Sequence, residues 1–309
     1  MADLLVYDAA DIARSVSMAA AIDGLRRCFA AGPTHIARDA YPAAGGEFLV
    51  MPAVDADSAG VKLLMIQPAN LSRDEPTIQG TYVLFDAARG RPVALLDGAA
   101  LTRLRTPAAS AIATDALARH DTTSLGIIGS GPQAAAHIEA ILCVRPGIER
   151  VVVASRTTAN AASAVAALED IGPTLAVGSI DEAAACDIVC VATRATDPVL
   201  TAAMVRPGSH INAVGAYRAD MRELSTDLLN ASTVTVDELH AAQDEAGDLV
   251  IPAHAGEWSW DRVAGDLRTI SIGATRRSSV AEITVFKSVG LAVEDLVIAR
   301  LVVSANLRA

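Results

Sequence analysis

Four cations and one glycine turn are the residues of this chain whose types and spacing bear most directly on chemistry. Basic residues are sparse ahead of the glycine turn, and Arg38, Lys62, Arg103 and Arg105 stand out there beside apolar, strand-like runs. Lys62 sits inside Gly60-Val61-Lys62-Leu63-Leu64-Met65-Ile66, where burying a charge is costly unless it meets a partner. A substrate carboxylate is such a partner. Arg105, just before Thr106-Pro107, adds a planar fork that can hold a carboxylate by two parallel bonds and so fix its orientation.

The glycine turn is Gly129-Ser130-Gly131-Pro132-Gln133-Ala134, entered from Leu125-Gly126-Ile127-Ile128 and followed by alanine-rich sequence without a helix breaker. It reads as strand, tight turn and helix. Gly129 can take a conformation closed to side chains, Gly131 lets the backbone approach a pyrophosphate, and Ala134 permits close helix-on-strand packing. Amides at the helix start then face phosphate, where the helix dipole favours negative charge. An NAD-type site usually places an acid at the end of the second strand for the ribose 2′-hydroxyl. Ser155-Arg156-Thr157 stands there instead, a cation flanked by hydroxyls that suits a 2′-phosphate, so NADPH is the preferred cofactor and NADH a possible one.

The elements that must position these groups follow from the pattern. Residues 11–31 carry apolar positions at helical spacing, closed by Gly32-Pro33, and predict one amphipathic helix. Residues 48–50, 60–66, 81–86 and 92–97 are strand-like runs separated by Gly, Pro and Asp, as in an antiparallel sheet. Residues 101–118 read as a helix interrupted near Pro107. Beyond residue 120 the aliphatic runs 125–128, 151–154, 175–177, 188–192, 210–214 and 234–236 alternate with helical stretches, which implies a parallel, doubly wound sheet. Residues 283–305 carry apolar residues at helical spacing and predict a closing helix.

Composition agrees with two α/β-type cores. The 309 residues are 52% hydrophobic but only 3% aromatic, so the cores are Ala, Val, Leu and Ile. A net charge of −11 without a Lys/Arg block argues against nucleic acid or an anionic membrane as partner. The start of the chain lacks the pattern of a signal peptide, and no apolar window spans a bilayer, so a cytoplasmic protein is expected. Cys28, Cys143, Cys186 and Cys190 lack metal or disulfide spacing and are expected to be buried thiols, and the scattered histidines give no metal site.

In order along the chain, Val50-Met51-Pro52-Ala53, Gly60-Val61-Lys62, Pro76-Thr77-Ile78-Gln79-Gly80, Ala94-Leu95-Leu96-Asp97-Gly98, Leu104-Arg105-Thr106, the glycine turn, Asn212-Ala213-Val214-Gly215 and Phe286-Lys287-Ser288-Val289-Gly290 resemble the ornithine cyclodeaminase and mu-crystallin family. That resemblance implies an N-terminal substrate and dimerisation domain, residues 1–120, completed by the last helix at about 291–309. It implies a central Rossmann domain over 121–290, with the active site in the cleft between them and a homodimer as the assembly. It assigns the substrate carboxylate to Arg38, Lys62 and Arg105, with Met51 beside them and Lys62 and Arg105 as the catalytic pair. To the cofactor it assigns Thr106, Gly129, Ser130, Gly131, Gln133, Ala134, Ser155, Arg156, Thr157, Ala192, Thr193, Val214 and Gly215, with Ser288, Val289 and Gly290 near the nicotinamide.

One departure separates the family's activities. Cyclodeaminases carry an Asp two residues after Ala-Val-Gly, and this chain has Tyr217 there, within Tyr217-Arg218-Ala219-Asp220-Met221-Arg222-Glu223-Leu224. That pattern looks like the branch that reduces cyclic imino acids such as Δ1-pyrroline-2-carboxylate and Δ1-piperideine-2-carboxylate. A cyclodeaminase or alanine dehydrogenase, and a non-catalytic NADP(H)-dependent binding protein, remain as alternatives.

Overall fold

The computed structural model describes residues 4–73, 75–168 and 171–307. Contacts between residues divide the chain into two units, Met1–Arg105 with Leu291–Ala309, and Thr106–Gly290. The division falls inside the helix Gly98–Leu117, earlier than the expected boundary near residue 120. The second half of that helix bonds within the second unit: Ser110 meets His137, Thr114 accepts from Asn212, and Arg145 donates to the carbonyls of Thr114, Asp115 and Ala118.

The first unit is a six-stranded sheet of β1 (Leu5–Tyr7), β2 (Asp39–Ala43), β3 (Gly46–Val54), β4 (Ser58–Ile66), β5 (Ile78–Asp86) and β6 (Arg91–Asp97), in the order β1-β6-β5-β4-β3-β2. Strands β2 to β6 pair antiparallel, as their alternation with turn residues predicts, while β1 joins β6 in parallel. Side chains alternate between two faces. Leu49, Met51 and Ala53, then Lys62 and Leu64, then Tyr82 and Leu84, then Ala94 and Leu96 lie on one buried face. The helix Ala292–Asn306 packs against β3, β4 and β5, and the helix Met18–Ala31 packs on it in turn. On the other face Phe48, Val50, Val61, Leu63, Met65, Val83, Phe85 and Leu95 are only half-buried.

The second unit is an eight-stranded sheet, parallel throughout, of β7 (Ser124–Ile128), β8 (Arg150–Ala154), β9 (Thr174–Val177), β10 (Ile188–Val191), β11 (His210–Ala213), β12 (Ser232–Val236), β13 (Val263–Asp266) and β14 (Ile283–Lys287). The order is β13-β12-β14-β11-β10-β7-β8-β9. From β7 the chain runs outward to β8 and β9, then returns to place β10 on the other side. The carboxyl ends of β7 and β10 therefore flank a topological switch point, where open parallel sheets bind their ligands.

Three sequence expectations are corrected. The helix expected over 11–31 is two, Ala9–Ser15 and Met18–Ala31, because Val16 is extended and the Ser17 side chain caps the second by accepting from the Ala20 amide. The helix expected to break near Pro107 runs from Gly98 to Leu117 with Pro107 inside it. Burial of Ala108, Ala109, Ala111, Ile112 and Ala113 offsets the lost amide bond, a penalty of about 3 kcal/mol. The closing helix expected from residue 283 begins at Ala292 and ends at Asn306, since Ile283–Lys287 is β14. A β-branched and aromatic run buried on both faces has no alternation to distinguish it from a buried helix. Arg308 and Ala309, at the end of the expected segment, lie outside the described residues.

The four cysteines are free thiols, but only Cys186 and Cys190 are buried; Cys28 is half-buried and Cys143 exposed, which corrects the expectation for those two. Cys143 stands near the end of a surface helix, where nothing in the spacing marked which face it takes. Among the described residues no helix is long and apolar enough to cross a membrane.

Candidate functional site

Two candidate groups of the first unit, Met51 and Lys62, lie in one row of its sheet. Met51 on β3 is in register with Lys62 on β4, and Lys62 with Tyr82 on β5, all three fully buried. Lys62 Nζ donates to Asp295 Oδ2 at 2.6 Å and to Thr102 Oγ1 at 3.2 Å. Arg105, 6% exposed, donates from Nη1 to Glu294 Oε2 at 2.9 Å, and its Nε lies 3.8 Å from Asp295 Oδ1. Sequence reasoning expected a substrate carboxylate to compensate the buried ammonium of Lys62. In the structure Asp295 partners that ammonium from within the chain, a contact that sequence reasoning did not name.

Burial pushes the Lys62 ammonium down to about 8, against the pull of Asp295, and the charges of Arg105 and Arg38 push the same way as burial. Arg38, half-buried just before β2, thus acts on the same point as the other two cations. The structure thus brings Lys62 together with Met51 in register and with Arg105 through Asp295, while Arg38 is linked to them by the reach of its charge.

The cofactor candidates of the second unit follow the carboxyl edge of its sheet. Taken across it, Ser288, Val289 and Gly290 follow β14, Val214 and Gly215 follow β11, Ala192 and Thr193 follow β10, Gly129 to Gly131 follow β7, and Ser155 to Thr157 follow β8. Five neighbouring strands thus end in predicted residues. Gly129 has φ +134°, and a Cβ there would lie 2.4 Å from the Ala192 carbonyl oxygen, so glycine is required. Gly131 starts the helix Pro132–Val144, and a Cβ on it would meet no protein atom within 4 Å. Packing does not demand that glycine, whereas a close-lying phosphate would, and this fits a dinucleotide.

Ser130 and Ser155 share a hydrogen bond of 2.9 Å. Arg156 is exposed, and Thr157 caps the helix Thr158–Ala166. Gln133 and Ala134 lie in the first turn of the helix that Gly131 starts, with Ala134 buried. Thr106 is buried within the helix Gly98–Leu117, away from these strand ends in sequence and element.

Two buried acids that sequence reasoning did not single out hold the edge in shape. Glu223 accepts from the Thr193 amide and hydroxyl, each at 2.7 Å, and from the amides of Gly215 and Ala216 at 2.7 and 2.9 Å. Burial pushes its carboxyl up to about 7 while Lys287 pulls it down. Asp237 accepts from the Ser288 hydroxyl and from the amides of Val289 and Gly290 at 2.9, 2.7 and 2.8 Å. Asp248 supports the first, taking the amides of Glu223 and Leu224 and facing Lys287 at 2.9 Å. Glu294 and Asp295 were missed likewise; two acids side by side in an otherwise apolar helical run are the one signal that marked them.

A doubly wound parallel sheet with a glycine turn at its switch point defines a Rossmann-type dinucleotide-binding fold, and the chain's other unit is a mixed α+β fold with buried cations. The chain belongs to the ornithine cyclodeaminase/mu-crystallin family, whose description matches residues 6–308. It is 40% identical over 259 residues to a Δ1-pyrroline-2-carboxylate reductase of Bacillus cereus, covering 82% of this chain and 79% of that protein. Among solved structures, the Δ1-pyrroline-2-carboxylate reductase of Thermococcus litoralis in complex with NADH and L-proline superposes with a TM-score of 0.94 at 32% identity, covering 99% of this chain and 98% of the other. An archaeal alanine dehydrogenase dimer with bound NAD gives 0.93 at 29% identity, covering 99% and 96%.

Proposed function

We propose that this protein is an NAD(P)H-dependent reductase of cyclic 2-imino acids, which converts Δ1-pyrroline-2-carboxylate to L-proline and Δ1-piperideine-2-carboxylate to L-pipecolate. The observation that carries the reading is the buried convergence of Lys62 and Arg105 in a chain 40% identical to a reductase of that name. The bound cofactor supplies a hydride to the imine carbon. Arg105 and Lys62, with Arg38, hold the substrate carboxylate and so fix the imine carbon for attack, which turns an encounter into a near-attack geometry. Met51 packs against the ring. Glu223 and Asp237 hold the strand-end loops that would carry the nicotinamide half of the cofactor. A protonated imine needs little further activation, and for a neutral one the Lys62 ammonium, brought down to about 8, is a proton source matched to the working pH.

Tyr217 supports reduction over deamination. An amino acid must lose a proton from its amine before hydride can leave, and a phenol is a far weaker base near neutral pH than the carboxylate of the cyclodeaminases. NADPH consumption with the two cyclic imines, and ammonia from ornithine at background, is the expected result; proline and ammonia formed from ornithine at comparable rates would sink the assignment.

The cofactor form rests on Arg156, exposed after β8 where an acid would select NADH. Arg156→Ala removes a charge-assisted phosphate contact worth about 1.5–3 kcal/mol, so NADPH affinity should drop roughly tenfold or more while NADH binding barely changes. Equal losses for both would refute the NADPH preference. The assembly is a homodimer formed through the half-buried face of the first-unit sheet, since an apolar surface of that extent asks for a cover. Sedimentation at micromolar concentration should give twice the chain mass, and a monomer would contradict it.

A further inference from the structure

Among the described residues, the buried charges at the carboxyl edge of the parallel sheet are three acids and one cation: Glu223, Asp237, Asp248 and Lys287. Lys287 ends β14 and faces Asp248 at 2.9 Å, so that pair closes on itself. Glu223 and Asp237 take neutral donors instead. The Glu223 oxygens accept from the Thr193 amide and hydroxyl and from the amides of Gly215 and Ala216, with Lys287 pulling on the carboxyl only through its charge. Asp237 accepts from the Ser288 hydroxyl and from the amides of Glu238, Val289 and Gly290.

Holding loops does not by itself call for a charge. Asp237 Oδ2 alone takes Ser288, Val289 and Gly290, which the neutral carbonyl oxygen of an asparagine can also do, and burying a carboxylate away from a cation is costly. Yet the ionised form is the one these loops are built around, because amide donors converge on both groups and a carboxyl proton would have to point at them. We propose that the buried charge of Glu223 and Asp237 favours the oxidised, cationic nicotinamide over the reduced, neutral one, and in that way eases the departure of hydride. This rests on the reading of residues 192–193, 214–215 and 288–290 as the cofactor edge. When hydride passes, the C–H electron pair leaves the dihydronicotinamide ring, which gains one positive charge, and arrives at the imine carbon, whose protonated nitrogen loses one. Positive charge thus moves from substrate to cofactor. Fixed acids on the cofactor side favour that movement, and in a preorganised, water-poor setting they act more strongly than they would in water.

The test is calorimetric binding of NADP+ and of NADPH to the full chain without imine, at pH 8, above the value of about 7 to which burial raises the Glu223 carboxyl. The two cofactors share every phosphate and sugar and differ in the charge of one ring, so their affinity ratio reports the field at that ring. Wild type should bind NADP+ the more tightly, and Asp237→Asn and Glu223→Gln should each shift the ratio towards NADPH by on the order of tenfold. Asp237→Asn is the gentler change, since its carbonyl oxygen still serves Ser288, Val289 and Gly290. A variant that merely loosens the edge lowers both affinities together and leaves the ratio where it was.

A wild type that binds NADPH as tightly as NADP+, or more tightly, overturns the proposal, and this arm needs no variant to fold. Ratios in both variants within about twofold of wild type overturn it as well. Failure of wild type to bind NADP+, NADPH, NAD+ and NADH alike removes the cofactor-edge reading beneath it, a result distinct from an edge that binds both forms without preference.

Discussion

Arg105→Ala should lower kcat/KM for the cyclic imine by roughly thirty- to several-thousandfold. A carboxylate in a largely dry site loses its bidentate partner, and leaving such an anion unpaired costs about 2–5 kcal/mol. Arg105 is 6% exposed, so water does not replace the lost bonds. The substitution also deprives Glu294 Oε2 of the donor at 2.9 Å, which adds a stability cost visible as a lower melting temperature. Arg105→Lys separates the two effects. It keeps a positive charge near Glu294 but lacks the planar fork, so it should recover most of the stability and only part of the turnover. Full imine turnover by Arg105→Ala would place the clamp elsewhere.

The second large effect is expected at Lys62. Lys62→Met removes the ammonium from a fully buried carboxylate, and breaking such a pair from one side destabilises by about 3–5 kcal/mol. The double variant Lys62→Met with Asp295→Leu should regain much of that stability and none of the activity. A double variant no more stable than the single would mean that the pair is not what holds these elements together.

In the wild type the same lysine sets a pH limb. Burial brings its ammonium from 10.5 down to about 8, so the charge is present below pH 8 and lost above it. The kcat/KM for the imine should therefore bend downward through about pH 8. Stability moves the other way in the window from about 8 to 10.5, because there the unfolded chain binds the proton that the folded one has released, and raising the pH favours folding. A profile flat to about pH 10 would show that the Lys62 charge is not used.

Much of the fold could be read from residue patterning because most strands carried one of two clean signals. Alternation gave β3 to β6, and isolated aliphatic runs between helices gave β7 to β12. β1 is three residues long and β2, Asp39–Ala43, is almost wholly exposed, so neither had an apolar face to announce it. β14 failed for the opposite reason, being buried on both faces.

At the site, the cations were legible as charges inside apolar runs, and the glycines as a turn at a strand end. Their partners were not. Asp295 lies 233 positions from Lys62, Glu294 lies 189 from Arg105, and Asp237 lies 51 from Ser288. No local pattern encodes a contact of that separation. Glu223 was written out within the Tyr-Arg motif but could not be seen as the acceptor of three amides and a hydroxyl until the loops carrying them were placed.

The closing helix has a consequence for how the chain matures. Its residues belong to the first unit, yet they leave the ribosome only after the whole of Thr106–Gly290. The intervening segment is contiguous and contains all eight strands of its own sheet, so it can collapse while synthesis continues. The sheet of β1 to β6 must wait. Until residues 292–306 arrive, its lysine has no counter-ion and one face has no cover, which makes the nascent amino-terminal half the species most exposed to misassembly and a natural client for a chaperone. A chain stopped at residue 290 would carry every glycine of the parallel sheet's carboxyl edge and still be unable to complete the unit that holds Lys62 and Arg105.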